Sequence, residues 1–118
     1  MPLEVEWIKC TGNIWCNLLN LNLNNTYFNN LEGVYIIWHE GRNPAIVRVG
    51  QGIIKDRLEV HRNDPEILAY QQHTLYATWA EVPENYRDSV EAYLGERLNP
   101  NVGSNFPDVA PISVNLPW

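Results

Sequence analysis

Two short runs of β-branched and aromatic residues, joined by a turn-forming segment, constrain the fold of this chain most strongly. Residues 33–38 (Gly-Val-Tyr-Ile-Ile-Trp) have the composition of a buried strand, and so do residues 45–50 (Ala-Ile-Val-Arg-Val-Gly). The segment between them contains Gly and Pro, which favour turns. The sequence therefore predicts an antiparallel hairpin over residues 33–50, with Gly50-Gln51-Gly52 ending its second strand.

A helical pattern follows the hairpin directly. The apolar residues Ile54 and Leu58 recur at helical spacing over residues 53–62. Arg57 and His61 are four residues apart in this predicted helix and therefore share a face. The elements predicted after it are a short helix starting at Pro65, a third strand over residues 74–80, and a helix from an N-cap at Asn85 to about Leu98. The order β-β-α-β-α is typical of a small sheet with helices packed on it, in the α+β class.

The two ends of the chain differ from this centre. The alternation of Leu and Asn over residues 18–24 favours a strand edge, and the Asn-rich residues 20–30 favour a loop. We expect the first 30 residues to pack on the domain as an extended arm. Beyond Asn99, repeated prolines predict an irregular tail laid across the same domain. A length of 118 residues suits one modest hydrophobic core, which predicts a single domain over residues 1–118.

Hydropathy and cysteine content bear on the compartment. No apolar run reaches the roughly 18 residues that a membrane helix needs, and the N-terminus lacks the basic and apolar stretches of a signal peptide. We therefore expect a cytoplasmic protein with no membrane partner. Cys10 and Cys16 have no second Cys or His pair nearby, which makes a zinc site a poor interpretation. In the cytoplasm both are predicted to be reduced.

The distribution of charge supports two interpretations of the surface. The chain has 8 basic and 14 acidic residues, and a net charge of −6 argues, taken whole, against a nucleic-acid partner. Residues 42–62 nevertheless hold five basic and two acidic residues, which gives +3 there and leaves −9 elsewhere. This segment predicts either a local basic patch that faces a phosphate or a solvated surface of mixed sign.

The order and spacing of several short segments resemble the GIY-YIG nuclease superfamily over about residues 31–105. The segments that carry the resemblance are Gly33-Val34-Tyr35, residues 47–51 (Val-Arg-Val-Gly-Gln), residues 57–61 (Arg-Leu-Glu-Val-His), Glu91, and a closing Asn99-Pro100 with Asn105. The resemblance implies a three-stranded antiparallel sheet with flanking helices. It also implies a divalent-metal-dependent endonuclease that hydrolyses phosphodiester bonds of DNA.

The resemblance further implies a role for each site residue. Glu91 would be the protein ligand of one Mg²⁺ or Mn²⁺ ion, because a lone carboxylate leaves room for waters and phosphate oxygens. Arg57 would hold the scissile phosphate with its planar guanidinium. Tyr35 would activate or orient the attacking water, and His61 would relay its proton. The basic residues expected to contact nucleic acid are Arg48, Lys55, Arg57 and Arg62.

Arg48 departs from the family pattern, because it occupies the place of the second motif's tyrosine. An arginine there is compatible with phosphate binding, with a lowered pKa of Tyr35, or with a domain that binds without cutting. Each site residue taken alone is also common as an ordinary core or surface residue. The alternative to an endonuclease is therefore a catalytically degenerate module that binds nucleic acid or protein. For a protein partner, the candidate exposed aromatics are Trp7, Trp15 and Trp118.

Overall fold

The hairpin predicted from the sequence forms the centre of the sheet. The structure, a computed structural model, describes residues 3–103 and 106–118. In chain order the elements are β1 (Cys16–Asn17), 3-10 helices at Leu18–Asn20 and Thr26–Phe28, β2 (Glu32–His39), β3 (Ala45–Ile53), α1 (Ile54–Arg62), α2 (Pro65–Leu68), β4 (Leu75–Glu81) and α3 (Glu84–Leu98). This arrangement confirms the α+β class.

The sheet is antiparallel throughout, with the strand order β1-β4-β2-β3. The central strand β2 pairs with β3 on one side, where Tyr35 lies opposite Gly50. It pairs with β4 on the other side, where Tyr35 lies opposite Trp79. The sheet has four strands and not the three expected, because Cys16–Asn17 adds a short edge strand to β4. The other edge is β3.

Two element boundaries differ from those predicted. The tripeptide Gly50-Gln51-Gly52 does not end β3 but stays paired with β2. Gly52 has a φ of +128°, which a residue without Cβ adopts with little strain, so the strand continues to Ile53. The helix α3 begins at Glu84 because Pro83, with φ fixed at −53°, serves as its N-cap. Asn85 therefore lies in the first turn and does not cap the helix.

The N-terminal arm packs on the domain, but its Leu-Asn alternation does not form a strand. The asparagines start 3-10 turns instead. The side chain of Asn17 accepts a hydrogen bond from the N–H of Leu19, and that of Asn25 accepts from the N–H of Tyr27. Short polar side chains compete with strand pairing in this way. Leu18 is fully buried, so the turns still deliver apolar side chains to the core.

Cys10 and Cys16 form a disulfide, which contradicts the prediction of reduced cysteines. The chain reverses between them, where Gly12 and Asn13 have φ values of +84° and +57°. The reversal brings the two Cα atoms to 5.1 Å, which is within the range that a disulfide spans. A disulfide is typical of an oxidising compartment rather than of a reducing cytosol.

Helices cover both faces of the sheet. On one face α1 and α2 pack with Tyr35, and on the other α3 packs with Val34. The tail is irregular and packs on the domain, as predicted, and it lies on the α3 side, where the N–H of Ile112 donates to the carbonyl oxygen of Ser89. Within the described parts of the chain, no helix is both long enough and apolar enough to cross a membrane.

Candidate functional site

Tyr35 and His61 form the buried pair at the centre of the candidate site. Tyr35 lies in the middle of β2, and His61 lies near the end of α1, one turn after Arg57. The Tyr35 hydroxyl oxygen and Nε2 of His61 are 2.5 Å apart. The two residues are only 1% and 2% exposed. The packing of α1 on the sheet thus brings the predicted histidine to the predicted tyrosine.

Gly50 leaves the space that the Tyr35 side chain occupies. It lies directly opposite Tyr35 on β3, and the phenol ring crosses over it. A Cβ at residue 50 would lie 2.5 Å from Cζ of Tyr35, which is too close for two carbon atoms. The glycine of the second motif is therefore required here for space.

Burial sets the protonation states of the pair. Burial raises the pKa of Tyr35 above its ordinary value, although Arg57, by hydrogen bonding and charge, and Arg48, by charge, act to lower it. Burial also lowers the pKa of His61 to about 4, and the charges of Arg48 and Arg57 reinforce this shift. Near neutral pH, Tyr35 is therefore a protonated phenol and His61 a neutral imidazole.

Arg48 is positioned by the segment that follows α3. The backbone N–H groups of Asn101 and Val102 donate to carbonyl oxygens of β3 at 3.0 and 2.8 Å, which attaches this segment to the sheet edge. Gly103 then lies directly against the Arg48 guanidinium, where a Cβ would collide with it. Nε of Arg48 is buried and finds no acceptor among the described residues, which suits it to an anionic ligand. Asn105, predicted for the same closing segment, lies outside the described residues.

Arg48 and Arg57 bring two positive charges to the buried pair. Their charges act on the pKa values of both members of that pair, so both guanidinium groups are within electrostatic reach of it. Over residues 3–103 and 106–118, the one ion pair joins Arg87 to Glu32 at 3.2 Å. In this part of the chain, then, no carboxylate in direct contact neutralises either site arginine.

Glu91 approaches the same region from α3. Nε2 of Gln51, on β3, donates to Oε1 of Glu91 at 2.8 Å and to Oδ1 of Asp88 at 2.5 Å. Burial raises the pKa of Glu91, the Gln51 hydrogen bond lowers it, and the charge of Asp88 raises it. The charge of Glu91 also acts on the pKa of Tyr35, so the two groups are within electrostatic reach. The side chains brought together beside β3 are Tyr35, Arg48, Arg57, His61 and Glu91.

The carboxylates of Glu91 and Asp88 are the groups of this site that could hold a divalent ion. Carboxylate oxygens are ligands that Mg²⁺ prefers, and Mg²⁺ usually keeps several waters. Among the residues that the structure describes, no group of three or more His, Cys, Asp and Glu side chains is arranged to hold a metal ion. Two carboxylates alone would leave most of the coordination positions of such an ion to other ligands.

Two basic residues predicted to contact nucleic acid lie apart from this cluster. Lys55 precedes Arg57 by two positions in α1, which is about 200° around the helix. Nη1 of Arg62 donates to the carbonyl oxygen of Leu21 at 2.7 Å. That bond ties the end of α1 to the N-terminal arm, so this arginine has a structural partner.

Gln51, Asp88 and Gly103 shape the site, although none of them has a predicted role there and Gln51 enters the sequence pattern only as the last residue of the second motif. Asp88 lies three residues before Glu91 on α3, and this spacing is the signal that could have indicated a carboxylate pair. The amide of Gln51 carries no such signal, because it reaches both carboxylates only after β3 and α3 pack together. The contact of Gly103 with the arginine likewise depends on where the chain turns after α3.

The cavity of about 580 Å³ near this site is not where the five side chains meet. It lies between the second half of α3 and the segment after it, and its lining includes Gly95, Asn99 and Gly103. The five side chains form a shallower site, whose half-buried members are Arg48, Arg57 and Glu91.

Comparisons with known proteins identify no relative of this chain. No protein-family model matches the chain, and no curated protein or solved structure matches it.

Proposed function

We propose that the protein is a divalent-metal-dependent endonuclease that hydrolyses DNA, as a divergent member of the GIY-YIG superfamily. One observation carries the proposal. Two arginines without a carboxylate partner among the described residues lie beside a Tyr–His pair, and a carboxylate of α3 reaches the same place. Phosphodiester hydrolysis needs these three kinds of group, because it requires charge stabilisation, proton transfer and a metal ligand.

Arg57 and Arg48 would bind the non-bridging oxygens of the scissile phosphate. A guanidinium offers a planar fork of donors that matches two phosphate oxygens. The buried Nε of Arg48 has no acceptor in the described chain, and a phosphate would reach this donor only if neighbouring groups move. Both side chains are half-buried, so their charges are less screened by water than those on an open surface.

The Tyr35–His61 pair would take the proton of the attacking water. Because Tyr35 is protonated near neutral pH, it would accept that proton only as it passes its own to Nε2 of His61. The imidazole is neutral and therefore able to accept it, and a phosphate nearby would raise its pKa. The water oxygen forms the new P–O bond, the scissile P–O bond breaks, and the leaving oxygen takes a proton from solvent.

Glu91 would be the protein ligand of one Mg²⁺ or Mn²⁺ ion. When bound, such an ion neutralises charge on the phosphate and lowers the pKa of a coordinated water. The amide of Gln51 orients the Glu91 carboxylate through its 2.8 Å hydrogen bond. Asp88 adds a second negative charge next to it, which favours a cation at this place.

A second candidate function is a module that binds nucleic acid without cutting it. The observation that favours it is burial: Tyr35 is 1% exposed, so its hydroxyl meets a bulk water only if neighbouring groups move. Arg48, which stands in place of the family's second tyrosine, and Arg57 remain partly exposed. Phosphate binding by these two arginines does not need an accessible phenol.

The compartment is part of the same proposal. We expect a cytoplasmic protein from its sequence, whereas the disulfide between Cys10 and Cys16 favours an oxidising compartment. The number of free thiols in protein prepared from cells without reductant distinguishes the two.

Cleavage of supercoiled, branched and single-stranded DNA in Mg²⁺ or Mn²⁺ tests the proposed function. Arg57→Ala and Glu91→Ala should each abolish metal-dependent nicking while the circular dichroism spectrum stays unchanged. The exposed positions Arg97→Ala and Glu96→Ala are matched controls and should cut like the wild-type protein. A wild-type protein that cuts none of these substrates with either ion is not an endonuclease. Salt-sensitive binding that is weakened by Arg48→Ala would then identify the binding module.

A further inference from the structure

We propose that a cleft at the hairpin end of the sheet binds an unpaired nucleobase that carries an exocyclic amino group. The cleft has a volume of about 480 Å³, and its lining includes Lys9, Asn13, Trp15, Trp38, Glu40 and Tyr76. These residues are distinct from the five that converge beside β3. The choice of DNA as the source of the base rests on the proposed function.

Three aromatic rings supply the stacking surface of the cleft. The rings of Trp15 and Trp38 meet edge to face with their centroids 5.3 Å apart. The ring of Tyr76 is tilted by 33° to that of Trp38 at 5.6 Å. Trp38 is almost fully buried, whereas Trp15 and Tyr76 are half-buried, and all three residues line the cleft. Aromatic surfaces of this kind stack on every base, because every base has a π-face.

The polar groups around these rings match the edge of a base and the phosphate beside it. Nζ of Lys9 lies 4.6 Å from the ring centroid of Trp15, which places a positive charge next to the stacking surface. The carboxylate of Glu40 can accept a hydrogen bond from the amino group of cytosine or adenine. The amide of Asn13 can both donate and accept. An apolar side chain of a protein partner would leave all three groups unused.

The disulfide holds one wall of the cleft in place. Lys9 precedes Cys10 and Trp15 precedes Cys16, so the bond keeps the ammonium group and the indole ring side by side. The N–H of Cys10 also donates to the carbonyl oxygen of Ile14 at 2.8 Å. A wall that is constrained twice loses little conformational freedom when a ligand binds, which favours affinity.

The cleft and the candidate site share strand β2. Trp38 follows Tyr35 by three residues on β2, and the two side chains pack on opposite faces of the sheet. Arg42, in the hairpin loop, adds a positive charge at the end of the sheet where the cleft lies. A base in the cleft would therefore lie across the sheet from Tyr35, and the cleft is a site separate from the five residues beside β3.

Fluorescence anisotropy of labelled decamers of dC, dA and dT, in EDTA to prevent cleavage, tests the proposal. We expect dC and dA decamers to bind roughly two- to tenfold more tightly than dT, which lacks the amino group. Trp15→Ala should weaken all three by roughly 5- to 100-fold, because it removes a stacking partner. Glu40→Ala, at an exposed position, should remove the preference without disturbing the core. The matched control is Tyr86→Ala, an exposed aromatic on α3 that should leave binding unchanged.

The outcomes separate this proposal from the proposed function. The proposal that the cleft binds a base is overturned if the three decamers bind with equal affinity, or if Trp15→Ala binds like the wild-type protein. Either result counts whether or not the protein cuts DNA. A base preference that is lost in Glu40→Ala and kept in Glu91→Ala supports base binding in the cleft even if no nicking is found. If the wild-type protein binds no decamer, the cleft is not a base site, and a protein partner becomes the better explanation of its aromatic surface.

Discussion

The hydroxyl oxygen of Tyr35 lies 2.5 Å from Nε2 of His61, and both side chains are almost completely buried. The contact joins the middle of β2 to the end of α1, so it is at once a packing contact and a polar one. Burial keeps the phenol protonated and the imidazole neutral, which leaves no net charge on the pair near neutral pH. The protonation of this pair and the space around it have consequences that can be measured separately.

The buried imidazole predicts a loss of stability in mildly acidic solution. The pKa of His61 is about 4 in the folded protein against 6.5 ordinarily, so the unfolded chain binds a proton in this interval that the folded protein does not. The lowered pKa of His61 makes its full contribution to the free energy of unfolding above about pH 6.5, and this contribution is lost as the pH falls towards 4. It amounts to on the order of 3 kcal/mol. Urea unfolding of the wild-type protein and His61→Gln across this interval measures it, and parallel curves for the two proteins would contradict the shift.

The proposed proton transfer predicts the tautomer of His61. Nε2 must carry the lone pair that accepts the proton of Tyr35, so Nδ1 must carry hydrogen. The ¹⁵N chemical shifts of the imidazole near neutral pH report this directly. Hydrogen on Nε2 would instead make Tyr35 the acceptor, and that result would rule out the transfer and favour the binding module.

The close approach of Tyr35 to β3 predicts that residue 50 must be glycine. In Gly50→Ala the new Cβ would overlap the phenol ring, and we expect a loss of about 1–3 kcal/mol in the free energy of unfolding, as for other overpacked cores. In a Tyr35→Ala background the same change should cost much less, because the ring it strikes is absent. The free energies of unfolding of the wild-type protein, the two single variants and the double variant give the coupling energy between the two positions. An equal cost of Gly50→Ala in both backgrounds would contradict the explanation.

The disulfide predicts a modest contribution to stability. It joins residues with a sequence separation of 6, and closing so short a loop in the unfolded chain is worth about 2 kcal/mol. A variant with both Cys10→Ala and Cys16→Ala should therefore melt at a lower temperature than the oxidised wild-type protein. Reductant should lower the melting temperature of the wild-type protein and leave that of the variant unchanged. Two titratable thiols in protein prepared without reductant would show that the bond is not formed.

Local pattern was a good guide to the regular elements and a poor one to the N-terminal arm. The β-branched and aromatic runs appear as β2, β3 and β4, and the helical spacing around Leu58 appears as α1. In the arm, the alternation of Leu and Asn suggested a strand. Asparagine side chains instead accept hydrogen bonds from nearby backbone N–H groups and form turns there. The added edge strand β1 has only two residues, and its pairing with β4 depends on tertiary packing rather than on its own composition.

The sequence by itself determined the α+β class, the order of the central elements, and the placement of Tyr35, Arg57 and Glu91 within them. Those properties follow from neighbouring residues, through strand composition and helical periodicity. Only the tertiary structure decided that a histidine meets the phenol, that Gln51 bridges two carboxylates, and that the closing segment lies against Arg48. The hydrogen bonds of the first two join residues 26 to 40 positions apart, and no local pattern contains such a distance. The packing of α1 and α3 on the two faces of one sheet creates them.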